Sequence, residues 1–170
     1  ALIELKAGNI SKASELYTLA LEHNPKCTIA LQGRALTNRH FRNFWDAIEN
    51  LNRAIELDPK QEFSYSLRAL ITAELTQTEV LDDDLISSTE SIYSFDTLKD
   101  HMVDRPSSEA LRDLCIRKFL QGGIEYSIIQ SIIADTTFAL DLNPKSAIAY
   151  LARGMAHFWK HDYQAALNDC

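Results

Sequence analysis

Four prolines divide the chain, and the sequence around three of them repeats. Pro25 and Pro59 lie 34 residues apart, and the segments LEHNPKCTIALQGRAL, IELDPKQEFSYSLRAL and LDLNPKSAIAYLARGM are alike. A period of this length, with one proline closing each unit, is typical of stacked helix-turn-helix repeats. The spacing therefore predicts an all-α array of paired helices, and it directs the search for function to a surface rather than to an active-site motif.

Small residues also recur at fixed distances from the prolines. They stand five residues before each proline and ten residues after it: Ala20, Ala54, Ala139, and Ala35, Ala69, Gly154. Small side chains at these places allow two helices to approach closely. Six residues after the prolines come the bulkier Leu31, Tyr65 and Tyr150. We expect these three side chains to fill the space between the helices.

The segments AIENLNRAIELDP and YLARGMAHFWKHDYQAALND resemble the tetratricopeptide repeat (TPR) family, and the resemblance covers residues 1–75 and 124–170. It implies a right-handed superhelix of antiparallel helix-turn-helix repeats. In such a superhelix the first helix of each repeat lines a concave groove, and the second helix forms the outer face. Since the first and last units begin and stop within a helix, we expect an internal fragment of a longer TPR-containing protein.

The later prolines depart from the regular spacing, because Pro106 lies 47 residues after Pro59 and 38 before Pro144. We expect a single TPR solenoid whose third unit is expanded by an acidic loop at about 76–105. The expected units are 1–25 (partial), 26–59, 60–106, 107–144 and 145–170 (partial). In this division 107–123 is a first helix, and an elongated second helix follows it. Alternatively, residues 76–123 are one insertion of 51 residues within a single repeat.

The negative charge is concentrated in the same expanded unit. The formal net charge is −7, and residues 76–106 contribute −6 of it, from eight acidic residues against Lys99 and Arg105. The remainder is too weakly charged to follow a phosphate backbone, so we predict no nucleic-acid partner. No stretch approaches the roughly 20 apolar residues of a membrane span. The three cysteines are far apart, which favours reduced thiols, and we expect an intracellular, cytoplasmic protein without membrane insertion.

Few side chains have the spacing of a catalytic or metal site. His157 and His161 are four residues apart and Asp162 follows, but no third ligand has motif spacing. Three arginines lie nine residues after a proline: Arg34, Arg68 and Arg153. Arginines at contacts between repeats usually pack and pair within the protein, which we favour over a grip on an acidic partner. We predict no catalytic residue, no metal and no cofactor.

The expected groove is apolar. One TPR subclass binds the acidic C-terminal tails of chaperones with a clamp of Lys, Asn and Arg. The corresponding positions here, among them Gln32 and Gly33, do not match it, so chaperone carboxylate-tail binding is disfavoured. An apolar groove favours an amphipathic helix or an extended apolar peptide as the ligand. The candidate partner-binding residues are Leu36, Phe63, Leu67, Leu70, Leu151, Met155, Phe158 and Trp159.

The resulting hypothesis is a protein–protein interaction scaffold without catalysis, which holds a partner segment in its concave groove. The alternative is a structural spacer or self-association module of a larger multidomain protein. Partner capture by the groove and the oligomeric state of the chain separate the two.

Overall fold

The computed structural model describes residues 1, 4, 8–78 and 126–169. This part of the chain contains seven α-helices and no strand: α1 (Ile10–His23), α2 (Thr28–His40), α3 (Phe44–Leu57), α4 (Glu62–Thr78), α5 (Tyr126–Leu142), α6 (Ala147–Trp159) and α7 (Tyr163–Asp169). Each helix packs on the next one along the chain, and α4 also packs directly on α6. The predicted all-α helical-repeat fold is confirmed.

The predictions for the expanded unit fall largely beyond these helices. The acidic loop predicted at about 76–105 lies outside the described residues except at its start, where α4 continues to Thr78. The helix predicted over 107–123 and the boundary at Pro106 lie outside them entirely. The elongated second helix predicted before Pro144 is confirmed, because α5 has 17 residues where α3 has 14.

Each proline of the repeated segments follows the same turn. The side chain before it accepts a hydrogen bond from the backbone N–H after it: Asn24 from Lys26 (3.1 Å), Asp58 from Lys60 (3.2 Å) and Asn143 from Lys145 (3.1 Å). The proline between them has no N–H to continue the preceding helix. The dipeptide Asn-Pro or Asp-Pro followed by Lys therefore ends one helix and starts the next in the same geometry three times.

The small residues predicted at helix contacts form the core. Ala47, Ala54 and Ala139 are completely buried, as are Ala35 and, within 1%, Ala69. The bulky neighbours Leu31 and Tyr65 are buried beside them, whereas Tyr150 is half-buried. Close helix approach at alanine positions thus creates the spaces that larger side chains fill.

The two described turns between a first and a second helix share one backbone conformation. Arg42, between α2 and α3, has φ 61°, and His161, between α6 and α7, has φ 62°. The next residue in each turn donates its N–H to a carbonyl five residues back, from Asn43 to Asn38 and from Asp162 to His157, both at 2.9 Å. Both helices therefore end in the same left-handed capping turn, which makes α2–α3 and α6–α7 equivalent hairpins.

Gly33 allows α1 and α2 to meet face to face. A Cβ atom at position 33 would overlap the Cζ and Cε1 atoms of the Tyr17 ring. Tyr17 is 5% exposed and belongs to the cluster that joins α1 to α2, so its ring has little space to move. The absence of a side chain at this position is therefore a packing requirement.

We predict that Tyr17 makes the protein less stable at high pH. Burial raises the pKa of Tyr17 above its usual value of 10.0, because the ionised phenolate is poorly solvated there. The folded state then holds the proton more tightly than the unfolded chain. The stabilisation is complete below about pH 10 and is lost as the pH rises through the folded-state pKa.

Urea unfolding between about pH 8 and 11.5 measures this loss. Tyr17→Phe should flatten the fall in unfolding free energy above about pH 10. Tyr163→Phe is the matched control, because Tyr163 is 53% exposed, and it should leave the fall unchanged. Identical alkaline profiles for wild type and Tyr17→Phe would contradict the prediction.

Candidate partner-binding surface

The first helices α2, α4 and α6 are joined by side chains. Gln32 of α2 donates through Nε2 to Ser64 Oγ at 2.8 Å, which connects α2 to α4. The Oγ atoms of Ser66 and Ser146 lie 3.2 Å apart and connect α4 to the start of α6. The accessible apolar side chains of these three helices therefore belong to one connected set of helices. We call them the first-helix surface: Leu36, Phe63, Leu151, Met155, Phe158 and Trp159.

Two of the predicted partner-binding residues lie in the core instead. Leu67 is 1% exposed and Leu70 is 6% exposed, and both belong to the main apolar cluster with residues of α3 and α5. Such side chains have almost no surface left for direct contact with a partner. Their burial follows from the position of α4, which packs against α3, α5 and α6.

Four other predicted residues are half-buried at the edge of this cluster. Leu36, Phe63, Met155 and Trp159 pack against it while they keep part of their surface accessible. They come from all three first helices. A partner could therefore touch them without displacing the core.

Leu151 and Phe158 are the most exposed members of the first-helix surface, at 55% and 59%. Together with Met155 they are spaced i, i+4 and i+7 on α6, so they share one face of that helix. The Phe158 ring also meets the edge of Tyr163, with ring centroids 5.7 Å apart. Large apolar side chains of this exposure are costly to leave in water, and they gain most from a partner.

A charged pair bridges α2 and α4. Arg39 donates through Nε to Glu74 Oε2 at 2.7 Å, and its Nη2 pairs with Glu74 Oε1. The hydrogen bond to Glu74 raises the pKa of Arg39, so the guanidinium stays charged. Sequence inspection missed this pair because the two residues are 35 positions apart, one repeat plus one residue. A search for opposite charges at that separation would have found it.

The three arginines that follow the prolines pair within the protein, which confirms the favoured interpretation. Arg34 donates to Asn50, Arg68 to Asp135 and Arg153 to Asp169, in each case from a first helix to a second helix. The hydrogen bond to Asp169 raises the pKa of Arg153. The guanidinium of Arg153 also lies 5.5 Å from the Tyr150 ring centroid. These arginines hold the hairpins together and are committed to internal partners.

The histidines near the end of α6 have separate surroundings. The Nδ1 of His161 lies 3.0 Å from the Tyr163 hydroxyl, whereas the Nδ1 of His157 lies 4.0 Å from Asp162. Within residues 8–78 and 126–169 no three His, Cys, Asp or Glu side chains are grouped so that they could hold a metal ion. No helix in the same ranges is long and apolar enough to cross a membrane.

Comparison with solved structures finds two similar chains. "Crystal structure of MamA protein" is 17% identical, with a TM-score of 0.41 over 98% of this chain and 81% of that one. "MamA RS-1 ArsTM double mutant" is 12% identical, with a TM-score of 0.42 over 99% of this chain and 85% of that one. No curated protein sequence matches the chain.

Comparison with protein families identifies the repeat itself. Residues 1–62 match the tetratricopeptide repeat family. These residues include α1, α2 and α3, the Asx-Pro turns at Pro25 and Pro59, and the buried alanines of the first regular hairpin. The chain belongs to the tetratricopeptide repeat family.

Proposed function

We propose that the protein is a non-catalytic interaction scaffold that binds an amphipathic helix of a partner protein on its first-helix surface. One observation carries the proposal. Leu151 and Phe158 expose more than half of their large apolar side chains on the same face of α6. They continue the half-buried apolar residues of α2 and α4.

The spacing of these side chains favours a helix as the ligand. Leu151, Met155 and Phe158 present an i, i+4, i+7 stripe, and a helix with the same apolar spacing can interdigitate with it. An extended peptide would need polar side chains for its unpaired backbone groups. Gln32 and Arg39 already donate to Ser64 and Glu74, so the polar groups closest to the stripe along α2 are occupied.

The expected energy of this contact is moderate. Full burial of a leucine or phenylalanine side chain is worth about 1.5–3 kcal/mol. Since Leu151 and Phe158 are already partly covered, each should contribute about 1–2 kcal/mol to binding. Loss of either contact should then weaken binding by about tenfold.

A selection experiment tests the proposal. The full-length chain is used to select binders from a displayed library of random helical peptides, and affinities are measured by tryptophan fluorescence. The chain has two tryptophans, so Trp45→Phe leaves Trp159 as the reporter on the first-helix surface. We predict that the selected peptides carry apolar residues at helical spacing and change the Trp159 emission. Leu151→Glu and Phe158→Glu should each weaken them by about tenfold or more.

Leu19→Glu is the matched control, because Leu19 is 49% exposed on α1, away from the three first helices. It should leave the affinity unchanged. All three substitutions replace largely exposed side chains, so circular dichroism should show the same helical content in each variant. Binders that ignore Leu151→Glu and Phe158→Glu, or that lack a helical apolar pattern, would contradict the proposal.

Self-association is the second candidate function, and the exposed apolar residues of α7 favour it. Tyr163 is 53% exposed and Leu167 is 70% exposed, which extends the apolar area beyond α6. Light scattering over a concentration series separates the two functions. A mass that grows with concentration in the wild type and stays monomeric in Leu151→Glu supports self-association. A wild-type monomer that binds peptides supports the scaffold.

A further inference from the structure

We infer that α4 and α5 are the first and second helices of one repeat, and that 51 additional residues, 79–125 among them, are inserted between these helices. The sequence left this division open beside a five-unit alternative. The inference is independent of what the first-helix surface binds. It rests on contacts that recur in every unit of the described chain with one constant offset.

The first recurring contact lies within a hairpin. Arg34 and Asn50 are 16 residues apart, and so are Arg153 and Asp169. The corresponding arginine of α4, Arg68, donates instead to Asp135 of α5, which is 67 residues away. Asn50 and Asp135 both stand nine residues before a proline. Asp135 therefore takes the place of the second-helix partner, and the separation has grown by 51 residues.

The second and third contacts lie between successive first helices. Gln32 meets Gln61 at a separation of 29 residues, and the equivalent Ser66 meets Ser146 at a separation of 80. Thr28 meets Gln61 at a separation of 33 residues, and the equivalent Glu62 meets Ser146 at a separation of 84. Each separation has again grown by 51 residues. The unit after α5 therefore stacks on α4 as α4 stacks on the unit before it.

The lengths of the two helices agree with this arrangement. α4 and α5 have 17 residues each, whereas α2 has 13 and α3 has 14. Counted from the prolines, α4 is extended at its C-terminal end and α5 at its N-terminal end. In an antiparallel pair these two ends are adjacent. Both helices therefore grow together at the end where the α2–α3 and α6–α7 hairpins have their turns.

The five-unit alternative would separate α4 from α5 by two further helices of the array. The bidentate contact between Arg68 and Asp135, at 2.8 and 2.6 Å, leaves no place for them between α4 and α5. A single interrupted repeat satisfies all the described contacts. It also predicts that the intervening residues can be shortened without breaking the array.

Replacement of residues 79–125 by a Gly-Ser linker tests the inference. Antiparallel helices in contact lie about 8–10 Å apart. A linker of about six residues can span that gap, and one of about twelve gives additional slack. We expect at least one of the two linker variants to keep the cooperative helical unfolding of the full chain. If both were unfolded, the inference would be overturned.

A double-mutant cycle on the full chain provides a second measurement. Arg68→Met, Asp135→Asn and their combination are compared by urea unfolding. Residues in direct contact should be coupled by about tenfold in the unfolding equilibrium constant. We expect the same coupling in a folded linker variant. Additive effects of the two substitutions in the full chain would overturn the pairing of α4 with α5.

Discussion

Replacing Arg68 with methionine is expected to destabilise the protein by about 3 kcal/mol or more. Arg68 is 7% exposed and bonds to Asp135 of α5 and, at 2.6 Å, to Asn52 of α3, while its guanidinium lies over the Tyr65 ring. Its removal leaves the carboxylate of Asp135, whose side chain is 14% exposed, without its cation. An uncompensated buried charge is the costly part of such a change.

Urea unfolding followed by circular dichroism measures the loss, and Arg34→Met is the matched control. Arg34 occupies the same position in the preceding unit, but its partner Asn50 is neutral. The control should cost only about 1 kcal/mol, because no charge is left unpaired. In a second test, Asp135→Leu in the Arg68→Met background should recover part of the stability. Equal losses at Arg68 and Arg34 would contradict the explanation based on buried charge.

Gly33→Ala is expected to lower the unfolding free energy by about 2 kcal/mol. Two effects oppose each other here. Alanine favours the helix over glycine by about 1 kcal/mol. The new methyl group overlaps the ring of Tyr17, which is buried, and overpacking of this kind costs about 1–3 kcal/mol or more. Since the ring is rigid and enclosed, the steric cost exceeds the gain in helix propensity.

The background of the substitution checks which effect dominates. In a Tyr17→Ala protein the ring is absent, so Gly33→Ala should become stabilising by up to about 1 kcal/mol. Thermal unfolding of the four proteins gives both values. If Gly33→Ala were destabilising by the same amount in both backgrounds, Tyr17 would not be the cause.

The regular units could be predicted from sequence because their determinants are local. The prolines, the Asx residue before them and the alanines at fixed distances set both the turns and the close helix contacts. The interrupted unit could not be assigned in this way. Pro106 has the appearance of a further boundary, and only the contact of Arg68 with Asp135, far apart in the chain, relates α4 to α5.

The candidate surface was predictable only in part for a similar reason. Helical spacing identifies the apolar face of each first helix, but it does not say how many neighbours that helix has. α4 packs against three helices, so Leu67 and Leu70 are buried, whereas the equivalent face of α6 leaves Leu151 exposed. Burial at these positions depends on stacking between repeats, which has no local signature in the sequence.

The separation of 67 residues between Arg68 and Asp135 also affects the order in which the chain folds. Loop-closure entropy grows with the logarithm of loop length, so closing this pair costs about 1 kcal/mol more than closing a pair 16 residues apart. Contacts between distant residues also form more slowly than local ones. The α2–α3 and α6–α7 hairpins should therefore nucleate at either side, and the array becomes continuous only when α5 finds α4.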